Sequence, residues 1–148
     1  MLLIDVNVLV YAHREDTPDH EVYRRWLEET VAGDAPFAVP ELVLSGFLRV
    51  VTHPRIFAPP TPLEDALAAA EALRAQPNYL SIAPGARHWD LFVNLCRTAN
   101  AKGPLVPDAY LAALAIESGS EWITTDRDFA RFPGLRWRDP LTDREVRV

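Results

Sequence analysis

The pattern of apolar and polar positions along the chain predicts short strands that alternate with helices. Leu2–Ile4 opens the chain as an apolar strand, and the apolar positions from Val6 to Val10 are expected to continue its hydrophobic run. Three more strands and one short turn or helix are predicted further along, the strands at 79–82, 122–124 and 135–138 and the turn or helix at 126–132.

Helices are predicted in the intervals, with capping residues at their ends. Thr17 is expected to cap the first helix with Pro18 at its first position, and Gly33 is expected to close it. Thr61 and Glu64 have the spacing of a capping box. The second helix is apolar nearly all round, which predicts burial. The predicted helices lie at 17–33, 41–51, 61–77, 86–100 and 107–119.

This alternation predicts an α/β fold. Strands that alternate with helices form a mostly parallel sheet with helices on both of its faces. In such sheets ligands bind in a crevice at the carboxyl ends of the strands. Side chains that directly follow a strand are therefore the first candidates for a functional site.

The composition is that of one globular domain, and we expect a single domain over residues 1–148. The chain has 148 residues, of which 49% are hydrophobic and 24% charged, and its single cysteine, Cys96, cannot form an internal disulfide. The N-terminus lacks the basic region of a signal peptide, and no stretch approaches the roughly 20 apolar residues of a membrane span. These features predict a cytoplasmic protein without a membrane segment.

The net charge of −6 argues against a protein whose main task is to coat nucleic acid. It leaves a nuclease possible, because divalent cations invert the local field of an acidic pocket. The histidines show no zinc-ligand spacing, and the chain has neither a nucleophile elbow nor a glycine-rich phosphate loop. Zinc, serine-hydrolase and nucleoside-triphosphate chemistry are therefore disfavoured.

Four acids carry the candidate chemistry. Asp5 and Asp126 each follow a predicted strand, and Glu41 and Asp108 each lie in the first turn of a predicted helix. Taken singly, each is explained as a strand-end turn residue or as an acid that favours a helix N-terminus. Taken together, they have apolar flanks and no lysine near them to pair with, so their burial is costly unless they bind a metal. Hard oxygen ligands select Mg²⁺ or Mn²⁺.

The motifs around these acids resemble those of PIN-domain ribonucleases of the VapC toxin type. The segment from Leu3 to Leu9 resembles the opening strand of PIN domains, with Asp5 as the first acid and Asn7 as its polar companion. The segments 107–115 and 123–129 are similar to the third acidic position and the closing motif, and 45–57 to a stretch of one VapC subgroup. Glu41 matches the second acid by its place at the start of the second helix.

The resemblance implies a three-layer α/β/α sandwich with a mostly parallel central sheet, and a metal-dependent endoribonuclease that cleaves RNA. It also implies a VapB-like antitoxin that blocks the enzyme, and a homodimer. Asp5, Asp108 and Asp126 would bind one or two Mg²⁺ or Mn²⁺ ions, and Glu41 would orient or deprotonate the attacking water. Supporting roles would fall to Asn7, Thr124, Asp128 and Arg49.

Two other interpretations remain open at this point. An aspartate-nucleophile phosphatase also places an acid after its first strand, but it needs a second aspartate where this chain has Asn7. A non-catalytic PIN-like binding module would share the fold, although loss of an acid is its usual mark and all four acids are present. RNA cleavage separates the nuclease from both.

Overall fold

The computed structural model describes residues 1–142, and residues 143–148 lie outside the description. This part of the chain contains four strands and six α-helices, with a short 3₁₀ helix at Arg127–Arg131. The strands are β1 (Leu2–Ile4), β2 (Phe37–Ala38), β3 (Glu121–Ile123) and β4 (Trp137–Arg138). The helices are α1 (Val6–His13), α2 (His20–Ala32), α3 (Glu41–Val51), α4 (Leu63–Arg74), α5 (His88–Thr98) and α6 (Leu105–Ser118).

The four strands form one parallel sheet in the order β2-β1-β3-β4. The register places Leu3 opposite both Ala38 and Trp122, and it places Ile123 opposite Arg138. Helices enclose this sheet, so the fold is the α/β/α sandwich that the sequence predicts. All four strands end at the same edge, because parallel strands share their direction.

The interior of the sheet explains why it forms from such short strands. Leu3, Ile4, Trp122 and Ile123 are completely buried, since both faces of the sheet are covered. Burial of apolar side chains contributes about 25 cal/mol for each Å² removed from water.

Within residues 1–142, no helix is both long enough and apolar enough to cross a membrane.

The strand Leu2–Ile4 is as predicted, whereas the apolar run that follows it forms a helix, α1, that the sequence pattern did not predict. The strand ends at Ile4, and Asp5 begins α1 by accepting a hydrogen bond from the Val6 backbone N–H at 2.6 Å. Val8, Leu9 and Val10 are then buried as helix residues. Both elements are buried, so their apolar residues form one continuous run. The apolar pattern alone therefore does not reveal where the strand ends and the helix begins.

Two predicted helix caps are wrong. α2 begins at His20 after Asp19, and the Thr17 hydroxyl donates instead to the carbonyl of Arg14 at 2.6 Å. α4 begins after Pro62 without a side-chain cap, because Thr61 faces the end of α1 and lies 3.3 Å from the His13 ring. In both places a hydroxyl finds a tertiary or turn partner that competes with the helix end.

Three further elements differ from the predictions. β2 was missed, because two residues are too few to show an alternating pattern. The stretch 79–82 is not a strand, and only Tyr79 forms an isolated bridge, to Phe37. α3 is amphipathic, with Leu42 half exposed, so it is not buried all round. The predicted bounds of α5, β3 and β4 agree with the structure to within a few residues.

Candidate active site

The candidate site lies where β1 and β3 end side by side. The chain leaves β1 towards β2 on one side of the sheet and returns as β3 on the other side, which creates a topological switch point. Asp5 follows β1, and Thr124 follows β3. The Thr124 hydroxyl donates to Asp5 Oδ2 at 2.7 Å, so the two strand ends are joined by a buried hydrogen bond.

Asp5 is held in one orientation by its surroundings. The residue is only 5% exposed, and its two carboxylate oxygens accept separately from the Val6 N–H and the Thr124 hydroxyl. Burial raises the pKa of Asp5 above its ordinary value and the charge of Asp126 adds to this rise, whereas the two hydrogen bonds lower it. The carboxylate is therefore fixed in direction and poorly hydrated.

Thr124 also positions the loop that carries the next acid. Its hydroxyl oxygen accepts from the backbone N–H of Asp126 at 3.0 Å while it donates to Asp5. Asp126 Oδ1 in turn accepts from the backbone N–H of Asp128 at 2.9 Å and caps the 3₁₀ helix. One buried hydroxyl thus fixes Asp126 relative to Asp5.

Asp108 reaches the same place from the first turn of α6. Burial, followed by the charges of Asp126, Asp5 and Asp128, raises the pKa of Asp108 to about 6. Asp108 lines one cavity with Asp126 and Asp128, and Thr124 links Asp126 to Asp5. The structure therefore brings together three acids that the sequence predicts as metal ligands, and it places Asp128 near them.

A cavity of about 510 Å³ opens beside these acids, and cationic side chains also line it. Asp108, Asp126 and Asp128 line it together with Lys102 and Arg131. The expectation that no lysine lies near the acids is therefore wrong, since Lys102 sits in the turn before α6. The sequence could have indicated this contact, because the single lysine of the chain lies only six residues before Asp108.

Glu41 is not joined to the other acids. It begins α3 just after β2, at the same edge of the sheet, but its side chain is 83% exposed. Its carboxylate lies 3.8 Å from Arg74 on α4. The place of Glu41 in the chain is as predicted, whereas its side chain lies near Arg74 and does not line the cavity of the other acids.

The two other supporting residues differ in their placement. Asn7 lies in the first turn of α1, two residues beyond Asp5, and is partly buried. Arg49 is exposed in the last turn of α3, eight residues beyond Glu41. At 1.5 Å per residue this is about 12 Å further along the helix axis, away from the sheet edge. Asn7 therefore stays close to Asp5 along α1, and Arg49 is not brought to the site.

Comparison with known proteins identifies the family. The family model described as the PIN domain matches residues 2–135. The chain belongs to the PIN-domain family. Over 141 residues it is 49% identical to Ribonuclease VapC43 of Mycobacterium tuberculosis. The aligned residues cover 95% of this chain and 96% of the relative. The chain is therefore also a member of the VapC family, as its motifs predict.

Solved structures of low sequence identity have the same fold. VapBC2 from Rickettsia felis, bound to a DNA fragment from its promoter, matches with a TM-score of 0.67 and 17% identity over 93% of this chain and 97% of that chain. A toxin–antitoxin complex from Klebsiella pneumoniae matches with a TM-score of 0.59 and 21% identity over 95% and 98%. The α/β/α architecture is thus that of the VapC fold.

The donor chemistry of this VapC-family site suits a hard divalent cation. Asp5, Asp108 and Asp126 offer carboxylate oxygens whose mutual repulsion a cation would relieve. Within residues 1–142, however, no group of three or more histidine, cysteine, aspartate or glutamate side chains already stands in a metal-binding arrangement. The donor set therefore fits the ion in chemistry and charge, while its oxygens do not already surround one ion.

Proposed function

We propose that this VapC-family chain is an endoribonuclease that depends on Mg²⁺ or Mn²⁺ and acts as the toxin of a toxin–antitoxin pair. The observation that carries the proposal is the convergence of Asp5, Asp108 and Asp126 at the switch point, with the pKa of Asp108 raised to about 6. Acids held this close cost stability unless they serve a ligand. The names of the relatives as ribonucleases indicate which reaction this is.

Asp5, Asp108 and Asp126 are the residues that would hold the ion. When bound, the ion supplies a water of lowered pKa and stabilises the charge on the attacked phosphate. Thr124 orients the Asp5 carboxylate, and it fixes the backbone at Asp126. These two hydrogen bonds hold Asp5 and the Asp126 backbone in place, so these two groups need not reorganise during the reaction.

Cations at the rim of the acid cavity would position the RNA. Lys102 and Arg131 line the cavity that contains Asp108 and Asp126, so they can approach phosphate oxygens while the acids hold the ion. Asp128 lies 3.9 Å from Arg131 and would orient its guanidinium. Asn7 would support the site from α1. A direct role of Glu41 would require its carboxylate to leave Arg74.

The comparisons with known proteins also indicate which partners to expect. A VapB-like antitoxin would block the site in the cytoplasm, since a fold neighbour is a toxin–antitoxin complex. We also expect a homodimer, as the family resemblance implies. Induced expression of the wild-type chain should stop growth and an antitoxin from the adjacent reading frame should restore it, whereas Asp5→Asn should be harmless.

RNA cleavage by the purified protein tests the activity directly. Wild type with Mn²⁺ should cut RNA, and Asp5→Asn should lose at least about a hundredfold in rate, in line with the loss of one preorganised catalytic group. Asp65→Asn is the matched control, because Asp65 is exposed on α4 and lies outside the cavity. Cutting in excess chelator, or equal rates for Asp5→Asn and wild type, would contradict the proposal and leave a non-catalytic binding module.

A further inference from the structure

A second cavity lies on the other side of the loop that carries Asp126. Its volume is about 530 Å³, and it opens beside the carboxyl ends of β3 and β4. Thr125, Arg127 and Trp137 line it, with Arg138 and Asp139 at the end of β4. The acid cavity and this second cavity therefore share one wall, the segment 124–128.

Alternate residues of this segment face opposite cavities. Thr124 contacts Asp5, and Asp126 and Asp128 line the acid cavity. Thr125 and Arg127 line the second cavity. The backbone at Asp126 is extended, with φ of −89° and ψ of 110°, so the side chains of its two neighbours, Thr125 and Arg127, point to the side opposite Asp126, and Asp128 follows in the 3₁₀ helix. The same local geometry that aims the acids thus aims Arg127 the other way.

Two charged groups of the second cavity already have partners. Arg138 Nε donates to Glu121 at 2.7 Å. The Asp139 carboxylate accepts from the Tyr23 hydroxyl at 3.1 Å and from the Leu141 backbone N–H at 2.8 Å. Arg127 is exposed at the cavity wall. Its guanidinium is accordingly the cation best placed to meet an incoming anion.

The remaining lining has the chemistry of a nucleotide site. Trp137 is only partly buried, so an edge or face of its ring is open to the cavity. Base–aromatic stacking is tolerant of sequence, and an arginine offers a forked donor to phosphate. Thr125 adds a hydroxyl that can both donate and accept. An aromatic ring, a guanidinium and a hydroxyl around one cavity match a base, a phosphate and a ribose.

We propose that this second cavity binds the nucleotide next to the cleaved phosphodiester of single-stranded RNA, with its phosphate on Arg127 and its base against Trp137. The proposal rests on the proposed ribonuclease function. An RNA strand that crosses the 124–128 segment places one phosphate in the acid cavity and a neighbouring nucleotide in the second cavity. Arg127 and Trp137 are then substrate-binding residues that influence which base is accepted beside the cut.

Binding of a defined RNA tests the role of Arg127. The probe is a 5′-fluorescein-labelled oligouridylate of about 12 nucleotides, a length within the usual site sizes for single strands. All variants carry Asp5→Asn, so that binding is measured by anisotropy with Mn²⁺ and without cleavage. Adding Arg127→Ala should weaken binding about tenfold and reduce the slope of log Kd against log salt by about 0.7, the share of one single-strand phosphate contact. Arg55→Ala, an exposed arginine outside both cavities, should change neither.

A pair of substitutions at Trp137 separates stacking from packing. Trp137→Phe keeps an aromatic ring and should bind the probe within about twofold of the Asp5→Asn parent. Trp137→Leu loses the ring and should bind about five- to a hundredfold more weakly, the range of one base stacked on an aromatic side chain. Thermal melts of both variants identify any loss of folding, and Arg127→Ala keeps the test decisive if Trp137→Leu unfolds.

The outcomes distinguish this inference from the proposed function. Equal affinity and equal salt slope for Arg127→Ala and Arg55→Ala would overturn the nucleotide site while leaving cleavage by wild type intact. Cleavage of the probe by the Asp5→Asn parent at the wild-type rate would instead refute the proposed function. If Arg127→Ala weakened binding of the antitoxin but not binding of the RNA probe, the cavity would be a protein-docking site and the proposal would be wrong.

Discussion

Asp108 shows how one residue reports the character of the whole site. Its carboxylate is partly buried and surrounded by the charges of Asp126, Asp5 and Asp128, and its pKa rises to about 6 from an ordinary value of 3.8. The folded protein therefore binds a proton at a pH where the unfolded chain has released it. Stability then decreases as the pH rises through this window, because the folded state holds more protons than the unfolded state.

Asp108→Asn removes this titration and should change the pH dependence of stability. In chelator at pH 7 we expect the variant to be about 1 kcal/mol more stable than wild type, a value reduced from the full shift because the group is partly solvated. The difference should vanish near pH 4, where the wild-type carboxyl is protonated in the folded state. Urea denaturation at a series of pH values measures this, and parallel curves for the two proteins would show that Asp108 is not in a field of like charges.

At the scale of elements, α1 connects the fold to the chemistry. Asp5 is at once the N-cap of α1 and the most buried acid of the site. Asparagine caps a helix as well as aspartate does, whereas alanine does not. The two functions of Asp5 can therefore be separated by substitution.

Asp5→Asn and Asp5→Ala should both lose activity but differ in stability. Asn keeps one acceptor oxygen, which can still accept from the Val6 N–H and cap α1, while its amide nitrogen faces the Thr124 hydroxyl oxygen as a donor. Ala loses the cap and leaves the buried Thr124 hydroxyl with no partner at this position, so it should be about 1–2 kcal/mol less stable than Asn. Chemical denaturation of both variants at neutral pH gives the difference. Equal stabilities would mean that the cap contributes nothing to α1.

The elements also show what sequence can predict. The meeting of Asp5, Thr124 and Asp126 follows from the rule that parallel strands end at one edge, so it could be predicted from two short apolar runs. The change from strand to helix at Asp5 could not be predicted from the sequence, because both elements are buried and their apolar residues form one continuous run. Thr17 and Thr61 failed as caps for a similar reason, since their hydroxyls found other partners.

The side-chain directions of the site were harder to predict than its location. Glu41 starts α3 as predicted, yet it lies near Arg74, and only the placement of α4 decides this. Lys102 comes into the acid cavity through the turn before α6, which no periodicity describes. Sequence thus located the edge of the sheet, and tertiary packing decided which charges face it.

At the scale of the molecule, repulsion among the acids should lower the stability of the metal-free protein, and a bound ion should restore it. Mg²⁺ or Mn²⁺ that binds only the folded arrangement should stabilise wild type by about 1–3 kcal/mol once free metal exceeds its Kd roughly tenfold to a hundredfold. Asp108→Asn should gain less, so the two proteins should exchange their order of stability between chelator and metal. Thermal melts at constant ionic strength measure this, with Asp65→Asn as the control that should respond like wild type. Identical responses of Asp108→Asn and wild type would exclude Asp108 from the metal site.

The central position of β1 has a consequence for the timing of synthesis. β1 is translated first, but it lies between β2 and β3, and the Thr124 partner of Asp5 comes 119 residues later. At about 5–20 residues per second a ribosome needs about 6–24 s to cover that interval. Until then the nascent chain has neither Asp126 nor the strand that aligns Asp5. A nascent chain therefore cannot bring its acids together before the ribosome has read past Asp126.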